Sequence, residues 1–322
     1  MQLVADKYMA DQKLRIGKIP YANLFPIFYI LESECDCSEY EFVEGVPSAL
    51  NYMLRIGEVD VSPSSSIEYL RHSDEYAIVE DHSISSMGPV GSIILLSGKP
   101  IEELNGLLVL TSSHSETSVA LLEIILRKFF KVKCNLKPAD ISLQHSEFSL
   151  QSADACLLIG DDALKAVKSY KLKVTSESQN SQLIYPVRKP SLLIRQGVPA
   201  YKGVGIYVGS NSSLSNGVYI YDLGELWHKH TGLSFTYALW IYKKDCCREK
   251  PELLERFEKD LNKAKRLAVK NFKKIALQSP MRGILTEAEL ITYWENISYD
   301  FGDEHRKGFE LFRKFSEELG LI

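Results

Sequence analysis

Three short runs of hydroxyl side chains are the first candidates for chemistry in this sequence. The runs are residues 64–66 (SSS), residues 83–86 (SISS) and residues 111–118 (TSSHSETS). Each lies where a predicted strand ends and a helix or a crossover begins. We therefore expect the three runs to meet in one cleft.

The last of these runs opens a predicted helix. The hydroxyls and the backbone N–H groups of a helix start are suited to binding a carboxylate. For any single serine, capping the helix is the simpler interpretation. Three such clusters at strand ends together favour an anion site.

Two further polar residues follow predicted strands. Asn23, in PYANLFP, is either a turn or N-cap asparagine or a neutral donor and acceptor that faces the cleft from the other side. Asp161 follows Gly160 and has the same two interpretations. Capping is the simpler one unless the fold brings Asp161 near a ligand.

Groups that titrate near neutral pH are scarce around these runs. His82, His114 and His145 are the candidates, and none has metal-ligand or catalytic-triad spacing with another, so structural or surface roles are expected. The sequence has no GxSxG, no Walker-type loop and no GxGxxG followed by an acidic residue. Hydrolase, nucleotide and dinucleotide chemistry therefore lack support.

Composition is that of an ordinary globular protein of 322 residues, a length that allows two domains. The net charge of −4 argues against nucleic acid or an anionic membrane as partners. The sequence shows neither a signal peptide nor a run of about 20 apolar residues, which predicts a cytoplasmic protein.

The six cysteines lack zinc-site spacing, so we expect free thiols, with Cys156 as a small buried hydrophobe, and no metal.

Short strand-like runs alternate with helical patterns along the chain, which predicts α/β layers with largely parallel sheets. Two apolar runs, 91–99 and 235–243, are long enough to cross between two units. We therefore predict a two-lobed fold with a cleft as the ligand site. Lobe 1 comprises residues 1–95 and 240–322, and lobe 2 comprises residues 96–239. Within lobe 2, residues 171–220 are rich in Ser, Asn, Gly and Pro and are predicted to be a loop or hairpin insertion.

Several motifs, taken in order, resemble one known family. PYANLFPIFY (20–29), GVPSALNYMLRIGEVDV (45–61), SSIEY (65–69) and SISSMGPVGSIILLS (83–97) are similar to successive signatures of the chorismate dehydratases of the futalosine pathway of menaquinone biosynthesis (the MqnA family). TSVALLEIIL, LLIGDDAL and DLGELWHKHTGLSF follow in the family's order. The match covers most of residues 14–300 apart from 171–220.

The resemblance implies a type II periplasmic-binding-protein-like α/β fold with two inter-lobe crossover strands. It implies a lyase that dehydrates chorismate to 3-[(1-carboxyvinyl)oxy]benzoate without a metal or other cofactor. In this family the substrate's own enolpyruvyl carboxylate is thought to take the proton. On the matching positions, Asn23 and Ser86 are the expected catalytic residues. The expected substrate-binding residues are Ser65, Ser66, Ser83, Ser115, Thr117, Ser118 and Asp161.

The sequence departs from the family pattern in two places. The 171–220 segment is longer than expected, and Met87 stands where a polar or basic residue is expected. Two alternatives remain open: a small-anion binding protein without catalysis, and another futalosine-pathway enzyme of the same fold. The oligomeric state is not predicted.

Overall fold

The computed structural model describes residues 13–113, 115–139, 153–177, 206–208 and 218–322, and every structural statement below concerns these ranges. His114 and His145 lie outside them. The same holds for most of the predicted insertion, residues 178–205 and 209–217.

Strands and short helices alternate in the first part of the chain. They are β1 (Leu14–Lys18), α1 (Phe25–Glu34), β2 (Tyr40–Glu44), α2 (Pro47–Ile56), β3 (Val61–Ser65), α3 (Ser66–Arg71), β4 (Tyr76–Ser86) and β5 (Ile93–Ser97). Helix α2 has Pro47 in its first turn and ends at Gly57, whose φ of 78° is in the left-handed region. Proline at the start and glycine past the end are the signals from which the sequence predicts this helix.

The middle of the chain repeats the alternation. It contains β6 (Leu108–Ser112), α4 (Glu116–Ile124, continued by a π-helical turn, Ile125–Phe130), β7 (Asn135–Ala139), β8 (Ala155–Ile159), α5 (Gly160–Glu177), β9 (Ile206–Val208), β10 (Val218–Asp222), α6 (Leu223–Thr231) and β11 (Phe235–Lys243). Helix α5 extends to Glu177, into the segment for which the sequence predicts a loop.

Helices form the last part of the chain. They are α7 (Cys246–Glu249), α8 (Pro251–Lys270), α9 (Phe272–Ala276), α10 (Glu287–Glu295) and α11 (Asp303–Leu319). The predicted apolar stripe of α8 is buried, with Phe257 and Leu261 fully enclosed. The sequence predicts one helix over 251–278, but Asn271 breaks it. The Asn271 backbone is not helical, and its side chain donates to the carbonyl of Leu267.

The strands form two sheets, one in each lobe. The first has five strands in the order β2-β1-β3-β11-β4, and the second has six in the order β7-β6-β8-β5-β10-β9. The prediction of largely parallel sheets is wrong, because both are mixed. Strands β5, β10 and β11 adjoin the passages between the sheets and run antiparallel to their neighbours. Strands β5 and β11 enter their sheets from the other lobe, so neither is joined to its neighbours by the helical crossover that makes consecutive strands of one sheet parallel.

The chain passes between the sheets twice. Strand β5 lies in the second sheet and β11 in the first, so the outward passage is residues 87–92 and the return is residues 223–234. The two passages share one carboxylate. Asp222 accepts hydrogen bonds from the backbone N–H groups of Val90 and Gly91 on the outward passage, and from Glu225 where α6 begins. The lobe boundaries at 95/96 and 239/240 stay a prediction.

One large apolar core spans both lobes, and a smaller cluster covers one face of the second sheet. Cys156 belongs to the smaller cluster and is fully buried, which confirms its predicted role as a small hydrophobe. No helix within the described ranges is long and apolar enough to span a membrane.

Candidate active site

A cleft between the two sheets forms the candidate site. Its polar lining consists of Tyr21, Asn23, Ser65, Ser92, Ser115, Ser118 and Tyr237, and the rest is aliphatic side chains, proline and glycine. In the described part of the chain, no Asp, Glu, His, Lys or Arg lines it. An anion in this cleft would therefore be held by neutral hydrogen-bond donors.

Asn23 reaches the cleft from the turn between β1 and α1. Its backbone carbonyl accepts a hydrogen bond from the Tyr299 hydroxyl at 2.7 Å, which fixes the turn. The Asn23 Oδ1 atom is enclosed and has no hydrogen-bond partner in the described structure. Because an enclosed amide oxygen is rarely left unpaired, this atom is placed to contact a ligand.

Asp161 holds the same turn from the other lobe. Its Oδ1 atom accepts the Ala22 backbone N–H at 2.9 Å. Burial raises the pKa of the Asp161 carboxyl, and the hydrogen bond from Ala22 acts in the opposite direction. Asp161 does not line the cleft itself, although the preceding Gly160 does. Gly160 has a φ of 56° and packs against the Tyr21 ring, so it has both backbone and spatial reasons to be glycine.

Ser65 and Ser66 are adjacent, but the structure separates their roles. Ser65 lines the cleft and caps helix α3, because its Oγ atom accepts the Glu68 backbone N–H. The Oγ atom also accepts from Asn51 Nδ2 at 3.1 Å. Ser66 points away from the cleft, and its hydroxyl donates to the carbonyl of Thr236 at 2.7 Å.

The serines of residues 83–86 lie within strand β4, not beyond its end as the sequence predicts. The strand continues because β11 pairs with it along one side, placing Ser86 opposite Phe235 and Ser83 opposite Leu239. Ser83 is buried, donates to the carbonyl of Asp300, and does not reach the cleft. Ser86 is also buried, and its Oγ atom lies 2.8 Å from the hydroxyl of Tyr237.

The start of helix α4 supplies two cleft hydroxyls. Ser115 and Ser118 both line the cleft, with their Oγ atoms 2.8 Å apart. Ser115 is at the N-cap position, but its hydroxyl does not cap the helix. The first-turn N–H groups and the helix dipole are therefore available to an anion. Thr117 faces elsewhere, since its Oγ1 atom accepts the Ile67 backbone N–H at 3.1 Å.

The structure thus brings Asn23, Ser65, Ser115 and Ser118 together at the cleft. Ser66, Ser83, Ser86, Thr117 and Asp161 lie beside or behind it. Sequence reasoning missed Tyr21, Ser92 and Tyr237. Tyr21 lies in the same family motif as Asn23, and Ser92 lies in the same family motif as Ser86. Tyr237 lies inside the apolar strand β11, and no pattern in the sequence distinguishes it.

No group of three His, Cys, Asp or Glu side chains in the described ranges is arranged to hold a metal ion. His82 is buried away from the cleft, as expected of a structural histidine. Desolvation and the nearby Lys265 lower its pKa to about 3.

Two mixed sheets, two passages and a cleft between them define the class of periplasmic-binding-protein-like folds. Solved structures support this at low sequence identity. A protein from Archaeoglobus fulgidus has a TM-score of 0.68 at 17% identity, over 97% of this chain and 99% of the other. The alkanesulfonate-binding protein SsuA from Xanthomonas axonopodis pv. citri, bound to MOPS, has a TM-score of 0.59 at 15% identity, over 97% and 94%.

Within this class, the chain belongs to the menaquinone biosynthesis family, which it matches over residues 14–177 and 204–318. A curated relative is the chorismate dehydratase of Thermus thermophilus. It is 27% identical over 306 residues, which cover 95% of each chain.

Proposed function

We propose that this protein is a chorismate dehydratase, a hydro-lyase that converts chorismate to 3-[(1-carboxyvinyl)oxy]benzoate and water. Membership of the menaquinone biosynthesis family and the full-length relative support this assignment. The structural observation that carries it is the cleft lining, which has hydrogen-bond donors and acceptors but, among the described residues, no side-chain acid or base other than tyrosine.

The reaction fits such a lining. Loss of a ring proton and of the neighbouring hydroxyl makes the ring aromatic, so the substrate supplies much of the driving force. The electron pair of the broken C–H bond enters the ring, and the hydroxyl leaves with the proton as water. If the enolpyruvyl carboxylate of the substrate takes the proton first, the protein needs no base of its own.

The protein's part is then binding and orientation. The start of α4, with Ser115 and Ser118, would hold one carboxylate by its N–H groups and hydroxyls. Ser65 would donate a further hydrogen bond. The NH₂ group of Asn23 would donate to the enolpyruvyl carboxylate and orient it, and the unpaired Oδ1 atom would accept a hydrogen bond from the hydroxyl that leaves. Holding a substrate in its reactive conformation removes an entropic barrier and accounts for large rate accelerations.

The assay is direct. Purified protein is incubated with chorismate, and the product is followed by its aromatic ultraviolet spectrum and its mass, which is lower by one water. We expect conversion by the wild-type protein. The Asn23→Ala variant should fold normally, because the turn is held through backbone atoms, and should lose most turnover.

Two outcomes separate the alternatives. Tight binding of chorismate without conversion would identify a small-anion binding protein of the same fold. Unchanged chorismate without binding would direct attention to another futalosine-pathway substrate. Near wild-type turnover in Asn23→Ala would show that Asn23 does not orient the reacting groups.

A further inference from the structure

A pair of hydroxyls lies in the cleft wall formed by β4 and β11. Tyr237 lines the cleft, and Ser86 lies behind it, 1% exposed. The Ser86 Oγ atom is 2.8 Å from the Tyr237 hydroxyl and 2.9 Å from the carbonyl oxygen of Gly88. The proposed mechanism does not yet use Tyr237.

The directions of these hydrogen bonds follow from the number of protons. Ser86 has one hydroxyl proton, and the carbonyl of Gly88 can only accept. When Ser86 donates to Gly88, Tyr237 must donate to Ser86. When both hydroxyls rotate, Ser86 donates to Tyr237, and the Tyr237 proton is left for another acceptor. The pair can therefore hold the Tyr237 proton on Ser86 or release it to a ligand.

Packing holds the pair in place. Gly224, in the first turn of α6, touches it so closely that an added Cβ would lie 2.4 Å from the Tyr237 hydroxyl oxygen and 2.6 Å from the Gly88 carbonyl oxygen. Burial raises the pKa of Tyr237 well above its usual value, so the phenol keeps its proton at neutral pH. Tyr237 is thus a fixed, neutral donor.

We propose that Tyr237 donates a hydrogen bond to the anionic substrate, and that Ser86 is a positioning residue acting through Tyr237. The proposal rests on the proposed function, because it takes chorismate as the ligand. In the described lining an anion can be bound only by neutral donors, and Tyr237 is one of these, whereas Ser86 is not. This changes the role predicted for Ser86 from the sequence, which is direct action on the substrate.

A double-mutant cycle tests the pair. The rates of Tyr237→Phe, Ser86→Ala and the double variant are compared with wild type for chorismate dehydration, and thermal unfolding reports on folding. Tyr237→Phe should lower kcat/KM by about 10- to 100-fold, the range for a lost hydrogen bond to a charged group. Ser86→Ala should lower it less. The double variant should equal Tyr237→Phe, because without the phenol hydroxyl Ser86 has nothing to position.

Ser85→Ala is the matched control. Ser85 is buried in the same strand, but its hydroxyl donates to Thr236 Oγ1 at 3.0 Å. Loss of the Ser85 hydroxyl should lower the thermal unfolding temperature and leave kcat/KM near wild type.

Two results would overturn the proposal: wild-type kcat/KM in Tyr237→Phe, or effects of the two substitutions that multiply fully in the double variant. The second result would mean that Ser86 acts on the substrate independently. If the wild-type protein binds chorismate without converting it, the proposed function fails instead. Calorimetric titration of the same variants with chorismate then tests the pair, with weaker binding expected for Tyr237→Phe. Absence of both binding and conversion contradicts both proposals.

Discussion

At the scale of single residues, the neighbouring hydroxyls of Ser65 and Ser66 show how hydrogen-bond partners decide which one is available to a ligand. The Ser65 Oγ atom accepts two hydrogen bonds, from Asn51 Nδ2 and from the Glu68 backbone. Both lone pairs are then used, and no acceptor in the described structure takes its proton. Ser65 is left with a donor beside the cleft. The proton of Ser66 is already donated to the carbonyl of Thr236.

Replacement of Ser65 by alanine should therefore raise KM for chorismate, whereas replacement of Ser66 should not. Ser65→Ala should raise KM for chorismate by about 10-fold or more through loss of a donor to a carboxylate. It should also destabilise helix α3 by about 1 kcal/mol through loss of its cap. Steady-state kinetics and chemical denaturation measure the two effects.

Ser66→Ala is the control for this prediction. It should lower stability by about 1–2 kcal/mol, because the Thr236 carbonyl loses a buried partner, and leave KM unchanged. A raised KM in Ser66→Ala with normal kinetics in Ser65→Ala would reverse our assignment and restore Ser66 to the cleft.

At the scale of elements, the turn between β1 and α1 is held by three separate parts of the chain. Asp161 of α5 accepts the N–H of Ala22, and Trp294 of α10 donates to the carbonyl of Ala22 at 2.7 Å. Tyr299 donates to the carbonyl of Asn23. These contacts fix the backbone and leave the Asn23 amide available for the ligand.

Substitutions of Asp161 can separate its role as hydrogen-bond acceptor for the Ala22 N–H from any role of its negative charge. Asp161→Asn keeps a side-chain oxygen for the Ala22 N–H and removes a charge that burial disfavours, as the raised pKa indicates. It should retain stability and turnover. Asp161→Ala removes the acceptor and should lower stability by about 1–2 kcal/mol, with loss of turnover as the Asn23 turn loosens. Thermal unfolding and the chorismate assay measure both variants. A folded but inactive Asp161→Asn would mean that the negative charge itself is required.

Helix and strand positions were predictable where local signals exist. Gly57 and Gly232 end α2 and α6 in left-handed conformations, and a serine precedes α3, all as expected from the sequence. The extension of β4 through Ser86 was not predictable. Serines favour turns locally, and only pairing with β11, about 150 residues away, makes them strand. The relative direction of neighbouring strands likewise depends on long-range contacts, which a local sequence pattern does not reveal.

The site was partly predictable for a similar reason. Family motifs place Asn23, Ser65 and Ser118 near strand ends, the hydroxyl run 111–118 adds Ser115, and all four line the cleft. Motifs cannot say which way a side chain faces, so they do not separate Ser65 from Ser66 or Ser118 from Thr117. Those distinctions depend on packing between the lobes.

At the scale of the whole molecule, the pH dependence of folding should contain a clear contribution from His82. Desolvation and the nearby Lys265 lower its pKa to about 3 against the opposing effects of Asn262 and Asp300, whereas an unfolded chain has the ordinary value of 6.5. Below pH 6.5 the unfolded chain takes up a proton that the folded protein does not. Stability is therefore present above that pH and is lost as the pH falls towards 3.

Between pH 7 and pH 5 this single group should reduce the free energy of unfolding by about 2 kcal/mol. Urea denaturation at the two pH values, for wild type and His82→Gln, measures the contribution. His230 and His305 also have lowered pKa values and act in the same direction, and they are common to both proteins. The variant should lose less stability than wild type between the two pH values. Equal losses would show that His82 is accessible to protons in the folded state.

The carboxylate of Asp222 has a mechanical consequence for the two lobes. It binds the outward passage at Val90 and Gly91 and the first turn of the return passage at Glu225. At Gly224 the two passages approach so closely that no Cβ fits beside the Gly88 carbonyl. Hydrogen bonds at this junction couple the two passages, so bending of one would be transmitted to the other. A rotation of the lobes about this junction would leave Ser86 and Tyr237, which lie beside it, nearly in place.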